Sequence, residues 1–308
     1  MRWRVKFKKP RTFLLGDNDV FPFVIKEKTL KNEHERWKAN RKWKKVIFAE
    51  KKESMGSVNE VERLKPYGDG EKTEEINQMF DGIAPVYDDM NRKMTFGADA
   101  AWRQKVVRHI GKVAKSDAKG KKSTLRVLDL ATGTGDMAIA IAKGHENATV
   151  VGIDMSDGML SMAREKVACA NVTDRVRLTK GDCLHLPFAD KEFDVVTVSF
   201  GLRNFASLEK GLKEANRVLE EGGRLVVLEM VGTYKFFRPF YWLYTQVAIP
   251  IMRSLSGGEK RAYEYLPKSI DAFPGRKELK MLLEKCGFKN VTVRRMTFGV
   301  CEMVMADK

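Results

Sequence analysis

Leu128-Asp129-Leu130-Ala131-Thr132-Gly133-Thr134-Gly135-Asp136 is the stretch from which the rest of this chain is read. An apolar run meets two glycines one residue apart, and a helix-like pattern follows at 136–143. Gly133 and Gly135 let the backbone turn tightly and let a ligand approach it closely. The first N–H groups of the following helix have no intrahelical partner and are available to that ligand. About twenty residues further on, Asp154 closes the next apolar run. A carboxylate there can accept both hydroxyls of a ribose. The spacing predicts a nucleoside-containing ligand at the C-terminal edge of a parallel sheet.

The choice of nucleoside turns on charge. Gly133-x-Gly135-x-x-Ala138 also fits a dinucleotide fingerprint. Asp129 argues otherwise, because an acid just before the glycines suits an ammonium better than a pyrophosphate. Asp136, at the helix start, is likewise a poor neighbour for a pyrophosphate. Gly181-Asp182-Cys183-Leu184-His185-Leu186-Pro187-Phe188 ends a third apolar run, and its acid can bond an adenine amino group. Three carboxylates at three strand ends fit a cationic amino-acid nucleoside, S-adenosylmethionine.

Outward from that core the pattern alternates. Strands are expected at 125–131, 149–154, 176–181, 193–200 and 224–229, with helices at 136–143, 157–167 and 208–219. Continuous Val/Ile/Leu strands interleaved with helices imply an α/β fold, its mostly parallel sheet covered on both faces. Upstream, helices are expected at 74–79 and 102–113, with 115–123 a polar linker. Downstream, 276–285 reads as a helix stopped by Gly287, and 289–295 with 300–306 as a hairpin around Gly299. The expected divisions are a leader at 1–54 and one domain at 55–308. Within the domain lie a helical lid (74–113), a ligand-binding core (124–232), an aromatic insertion (233–275) and a closing helix and hairpin (276–308).

Composition narrows the classes. The chain has 308 residues, 43% hydrophobic and 32% charged, enough apolar material for a core. The longest apolar run, 240–252, is broken by Pro250 and falls short of the ~20 residues of a membrane-spanning helix. No secretory signal is expected. Cys169, Cys183, Cys286 and Cys301 form no C-x-x-C pair, which fits a reducing cytosol and no metal site. The net charge of +16 would suggest nucleic acid, but residues 1–54 alone hold 17 Lys+Arg against 7 Asp+Glu. The excess therefore sits in the leader, and nucleic acid is not an expected partner.

Two further stretches carry a resemblance. Phe80-Asp81-Gly82-Ile83-Ala84-Pro85-Val86-Tyr87-Asp88-Asp89-Met90-Asn91 and Ser199-Phe200-Gly201-Leu202-Arg203-Asn204 stand beside Arg217-Val218-Leu219-Glu220-Glu221-Gly222-Gly223-Arg224. With the glycine turn, they make residues 74–308 resemble the class I methyltransferases. Within that class they are similar to the C-methyltransferases of ubiquinone and menaquinone biosynthesis. The resemblance implies a seven-stranded sheet with an antiparallel final hairpin. It implies S-adenosylmethionine bound by Asp129, Gly133, Thr134, Gly135, Asp154, Met155, Asp182, Cys183 and Ser199, with Cys183 acting through its backbone. The family often has Gly where Thr132 stands.

The activity so implied is methylation of a ring carbon in a prenylated hydroquinone, demethylmenaquinol before a benzoquinol. Carbon is a poor nucleophile, so the ring hydroxyl must lose its proton and the phenolate must be favoured. Arg203 stays protonated and is expected to stabilise that phenolate or to hold a water, with a surface salt bridge as the alternative. Asn204 is expected to orient the ring oxygen, and Tyr87, Asp88 and Asn91 to close over the site. A helix cap is the alternative for Asp88. His185 reads as structural. A nucleoside-binding module docked on RNA is the alternative of a different class.

Seven of eleven residues in 234–244 are aromatic, and Lys235, Arg238 and Arg253 lie close by. That insertion reads as a groove for the prenyl tail or a transient contact with a membrane surface, with an ordinary helical cover as the alternative. The expected place of work is the cytoplasm, at the inner face of the cell membrane; a homodimer is also allowed for. The leader matches nothing in the family and has one serine and seven acids, unlike a mitochondrial leader. Met55 precedes the first family-like segment, so the expectation is that translation starts there and that residues 1–54 are dispensable.

Overall fold

The computed structural model describes residues 71–110, 124–231 and 260–308. The leader, Met55, and the aromatic stretch at 234–251 with Lys235, Arg238 and Arg253 lie outside the described residues. In chain order the elements are α1 (Glu71–Met94), α2 (Ala98–Ile110), β1 (Leu125–Leu130), α3 (Asp136–Gly144), β2 (Ala148–Asp154), α4 (Asp157–Cys169) and β3 (Val176–Lys180). There follow β4 (Phe193–Ser199), a 3-10 turn (Leu202–Asn204), α5 (Leu208–Val218) and β5 (Leu219–Met230). The chain closes with α6 (Lys260–Ala272), α7 (Arg276–Lys285), β6 (Lys289–Met296) and β7 (Cys301–Asp307).

The seven strands form one sheet in the order β3-β2-β1-β4-β5-β7-β6. The first five are parallel, and β7 runs antiparallel between β5 and β6. The order doubles back beside β1, so the chain leaves β1 and β4 on opposite sides of a crevice. Open α/β sheets bind ligands at such a switch point. Leu128, Leu130, Val196 and Val198 face one side with α5 and α7, while Leu125, Val127, Val150 and Val195 face the other with α2 and α3. Burial on both faces explains why these strands read as unbroken apolar runs.

Local signals set the ends. Ser156 caps α4 by accepting the Met159 N–H at 3.0 Å, and Ser207 caps α5 by accepting from Lys210 at 3.3 Å. Gly287, at φ 93°, ends α7 where the sequence placed its stop. Helix α2 begins at Ala98 rather than at 102, and two other elements depart further from expectation. Strand β5 begins at Leu219 rather than at 224, because Leu219 pairs with Phe193 before the register shifts to Arg224 on Val195. The larger departure is α1, one helix of 24 residues that runs through Pro85 instead of stopping near residue 79. Proline costs a helix ~3 kcal/mol. Here Met79, Ile83, Ala84, Met90 and Met94 bury against Met159 of α4 and Tyr265 of α6, and that packing holds the helix across the break.

Gly201, just after β4, packs so closely on the glycine turn that an added Cβ would stand 2.5 Å from the Ala131 Cβ. Overpacking of this kind typically costs about 1–3 kcal/mol. Gly201→Ala is therefore expected to destabilise the fold by that amount in urea, lowering the midpoint without changing the m-value. An unchanged midpoint would mean the two turns can separate freely.

Candidate active site

A cavity of about 890 Å³, its open mouth included, lies at the C-terminal ends of β1, β2 and β4. Its polar wall holds Gly133, Asp154, Asp182, Ser199 and Asn204; Phe80, Tyr87, Met155, Phe200 and Phe205 supply much of the apolar one. Two of the strand ends are strained. Ala131 and Phe200 have φ of 50° and 60°, values rare for residues with a Cβ. Cross-strand bonds hold the backbone there: Phe200 N–H donates to the Leu228 carbonyl at 2.7 Å, and Thr132 N–H to Ile153 at 3.0 Å.

Asp154 lies on the cavity wall as expected. Its Oδ2 accepts the Gly133 N–H at 2.8 Å and its Oδ1 the Ser156 N–H at 3.0 Å. Burial raises its affinity for a proton, and these N–H groups work in the other direction. The Ser199 hydroxyl, at the end of β4, is buried with no hydrogen-bond partner among the described residues. Buried hydroxyls are rarely left unsatisfied, so this one marks a place for a polar ligand atom. Asp182 also faces the cavity, its Oδ1 accepting from Leu184 N–H at 2.8 Å and its Oδ2 lying 3.1 Å from the His185 ring. Burial pushes the Cys183 thiol far up, so it stays protonated. These donors and acceptors suit the ribose, adenine and amino-acid groups of S-adenosylmethionine.

Several expected ligands sit behind the wall instead. Asp129 is 1% exposed and accepts from Thr132 Oγ1 and Thr197 Oγ1, each at 2.6 Å. Both of its oxygens are thereby engaged in fastening the glycine turn to β4, off the cavity wall where an ammonium partner was expected. The same bond gives Thr132 a purpose. Thr134 likewise turns away, donating to Asp88 Oδ1 at 2.6 Å. Gly135 supports the turn through φ 80°.

Asp88 is neither a cap nor part of the cavity. It stands mid-helix on α1 and is bound by Thr134 and by Lys166, which also pairs with Asp136. Asp81, one side of Pro85, accepts from Ser156 Oγ at 2.5 Å and from Gly158 N–H at 2.9 Å. The two acids clamp α1 over the site. Neither Asp81 nor Lys166 stood out in the sequence; an acid on each side of Pro85 in the Phe80–Asn91 stretch was the available signal.

Arg203 departs most from expectation. It is 8% exposed, off the cavity wall, and pairs with Glu229, itself 1% exposed. Its backbone N–H donates to the other Glu229 oxygen at 3.2 Å. Burial works against its charge, but the Glu229 carboxylate beside it holds it protonated. The salt bridge was foreseen as the alternative, at the surface; the structure buries it. Tyr87 does line the cavity. Burial raises its phenol above the ordinary value while the nearby Arg203 pulls it down. Asn204 lines the cavity too, and its Oδ1 accepts from Tyr265 OH at 2.7 Å.

The model of the ubiE/COQ5 methyltransferase family matches residues 69–308. A demethylmenaquinone methyltransferase of Bacteroides fragilis is 39% identical over 249 residues, covering 80% of this chain and 98% of the relative. One of Thermus thermophilus is 43% identical over 231 residues, with 75% and 100% covered. The ubiquinone/menaquinone biosynthesis C-methyltransferase UbiE of Geotalea daltonii is 38% identical over 240 residues, with 77% and 98% covered. Among solved structures, a possible histamine N-methyltransferase of Thermotoga maritima superposes with a TM-score of 0.51 at 18% identity, over 75% of this chain and 98% of that one. A putative O-methyltransferase of Nostoc punctiforme superposes at 0.53 and 16% identity, over 74% and 60%. These two share the fold.

Two outcomes are expected. Arg203→Ala strands a buried Glu229 carboxylate, which typically costs about 3–5 kcal/mol. Urea unfolding should show that loss, and an unperturbed midpoint would refute the pairing. Asp129 has its carboxyl pushed up to about 6 by burial. A raised native value means the group's contribution to stability is full below about pH 4 and is lost as pH rises through 6. The loss is on the order of 2–3 kcal/mol. Asp129→Asn lacks that dependence, so its midpoint should gain on the parent's between about pH 4 and 7. Parallel curves would refute it.

Proposed function

The chain belongs to the ubiE/COQ5 methyltransferase family, and on that basis we propose that it methylates a ring carbon of demethylmenaquinol, giving menaquinol. The observation that carries this reading is overlap with relatives of that name over 98–100% of their length. S-adenosylmethionine, when bound, supplies an electrophilic methyl group. Asp154, Asp182 and Ser199 hold its polar parts at the strand ends. Gly133 and Met155 approach it from the neighbouring turns.

The rest of the wall serves the ring. Phe80, Phe200 and Phe205 give an aromatic ring apolar surface. Tyr87, kept protonated by burial, donates to one quinol oxygen. Asn204 is held by Tyr265, which leaves its amide N–H groups to meet the other. Arg203 acts at a distance: its charge, felt at the Tyr87 phenol, favours the ring phenolate, whose proton passes to water at the cavity's open mouth, and so enriches the ring carbon. The proton on that carbon leaves the same way once the methyl has arrived. Helix α1, clamped by Asp81 and Asp88, keeps water out. The substrate's prenyl tail places the work at the inner face of the cell membrane. Methylation of a benzoquinol is the second reading, favoured by the Geotalea daltonii relative's name.

The test is full-length protein with labelled S-adenosylmethionine and, in separate reactions, demethylmenaquinol, a demethylated benzoquinol and RNA. Label is expected in menaquinol. Label in RNA alone would overturn the reading. Asp154→Ala should weaken S-adenosylmethionine by roughly 10- to 100-fold in calorimetry, the scale of a lost charged hydrogen bond. Undiminished affinity would move the cofactor elsewhere.

A further inference from the structure

Two phenylalanines stand out of the surface in an unusual backbone state. Phe96, in the turn between α1 and α2, is 79% exposed at φ 51°. Phe298, in the turn between β6 and β7, is 71% exposed at φ 53°. Both rings are largely exposed, and each backbone lies in the left-handed region that bulky residues rarely adopt. The turns are neighbours. Trp102 of α2 donates from Nε1 to Thr297 Oγ1 at 2.9 Å. Ala98 and Val300, each two residues past its phenylalanine, pack on the same cluster as Trp102.

This corner lies beside the active site. Strand β7 starts at Cys301, opposite Met230 at the C-terminal end of β5, so the β6–β7 turn shares the cavity's edge of the sheet. Phe200 of the cavity wall meets Trp102 with ring centroids 6.1 Å apart. Exposed cations lie on the elements that flank the two turns: Arg92 and Lys93 at the end of α1, Lys105 on α2 and Arg294 on β6. Three acids lie near them, each paired with a cation: Asp89 with Lys93, buried Asp99 with Arg103, and buried Glu302 with Arg295. Apolar tips flanked by positive charge suit one kind of surface, an anionic bilayer.

We infer that this corner docks on a membrane, Phe96 and Phe298 entering the headgroup region of a bilayer while Arg92, Lys93, Lys105 and Arg294 meet its anionic lipids. Docking this way turns the active-site edge of the sheet toward the bilayer, the source of a prenylated quinol. That purpose rests on the proposed substrate; the surface itself does not.

The test is sedimentation of the full chain with vesicles of phosphatidylcholine, alone or doped with phosphatidylglycerol, with no quinol present. The parent should bind the doped vesicles, and less so at high salt. The double variant Phe96→Ser, Phe298→Ser should bind roughly tenfold or more weakly. It should keep its melting temperature and its turnover of a short-tailed, water-soluble quinol. Arg92→Glu with Arg294→Glu should weaken binding to the doped vesicles alone. Phe298→Trp gives a readout that does not depend on a polar substitution: brominated lipid should quench its fluorescence more than the parent's. Three results would each overturn the inference: a parent that ignores vesicles, a double variant that binds undiminished, or Phe298→Trp fluorescence that brominated lipid quenches no more than the parent's. Vesicle binding without turnover of any quinol would instead sink the substrate reading and leave the docking surface standing.

Discussion

A carboxylate with no access to water ties the floor of the cavity together. Asp129, near the end of β1, reaches forward to Thr132 in the glycine turn and sideways to Thr197 on β4. A buried acid costs free energy unless its oxygens are satisfied, and each hydroxyl bond here is short. The arrangement leaves the turn one path out of the sheet, so Gly133 presents its N–H to Asp154. Asp154 in turn meets Ser156, whose hydroxyl starts α4 and binds Asp81 of α1. One polar chain therefore runs from the sheet to α1.

Helix α1 is a compromise between packing and cost. It gives up a hydrogen bond at Pro85 and is held by an apolar face and two acids. The ion pairs at Asp88 and Lys166 are partly exposed, and such pairs contribute modestly. Most of the hold therefore comes from Met79, Ile83, Met90 and Met94. The acids fix the register, so that Phe80 and Tyr87 face the cavity.

Electrostatics divide the site into two kinds of charge. Acids that touch the cavity, Asp154 and Asp182, have oxygens already met by backbone N–H groups and keep lone pairs for a ligand. The cation stays behind the wall. Arg203 is compensated by Glu229, so the pair acts as an oriented dipole near Tyr87 and Tyr265. A fixed dipole needs no rearrangement when charge develops on a substrate, which is how such sites favour one protonation state over another.

Sequence alone determined the sheet, because parallel strands buried on both faces must be continuous apolar runs and helices between them must carry one apolar stripe. It also marked the strand-end positions that line the cavity, Gly133, Asp154, Asp182 and Ser199, since a residue that ends a strand has its place fixed by the sheet. Side-chain direction was not legible. Asp129 and Arg203 carry the right charges next to the right turns, yet one faces Thr197 and the other Glu229, 68 and 26 residues away. Glu229 reads as one more residue of an apolar strand. Helix α1 hid its length for the same reason: Pro85 is a local stop, and what overrides it is packing against Met159 and Tyr265 far along the chain. Local chemistry writes itself into neighbouring residues. Which way a buried charge points depends on partners that only the folded chain brings into hydrogen-bond reach, and that the tertiary structure alone decided.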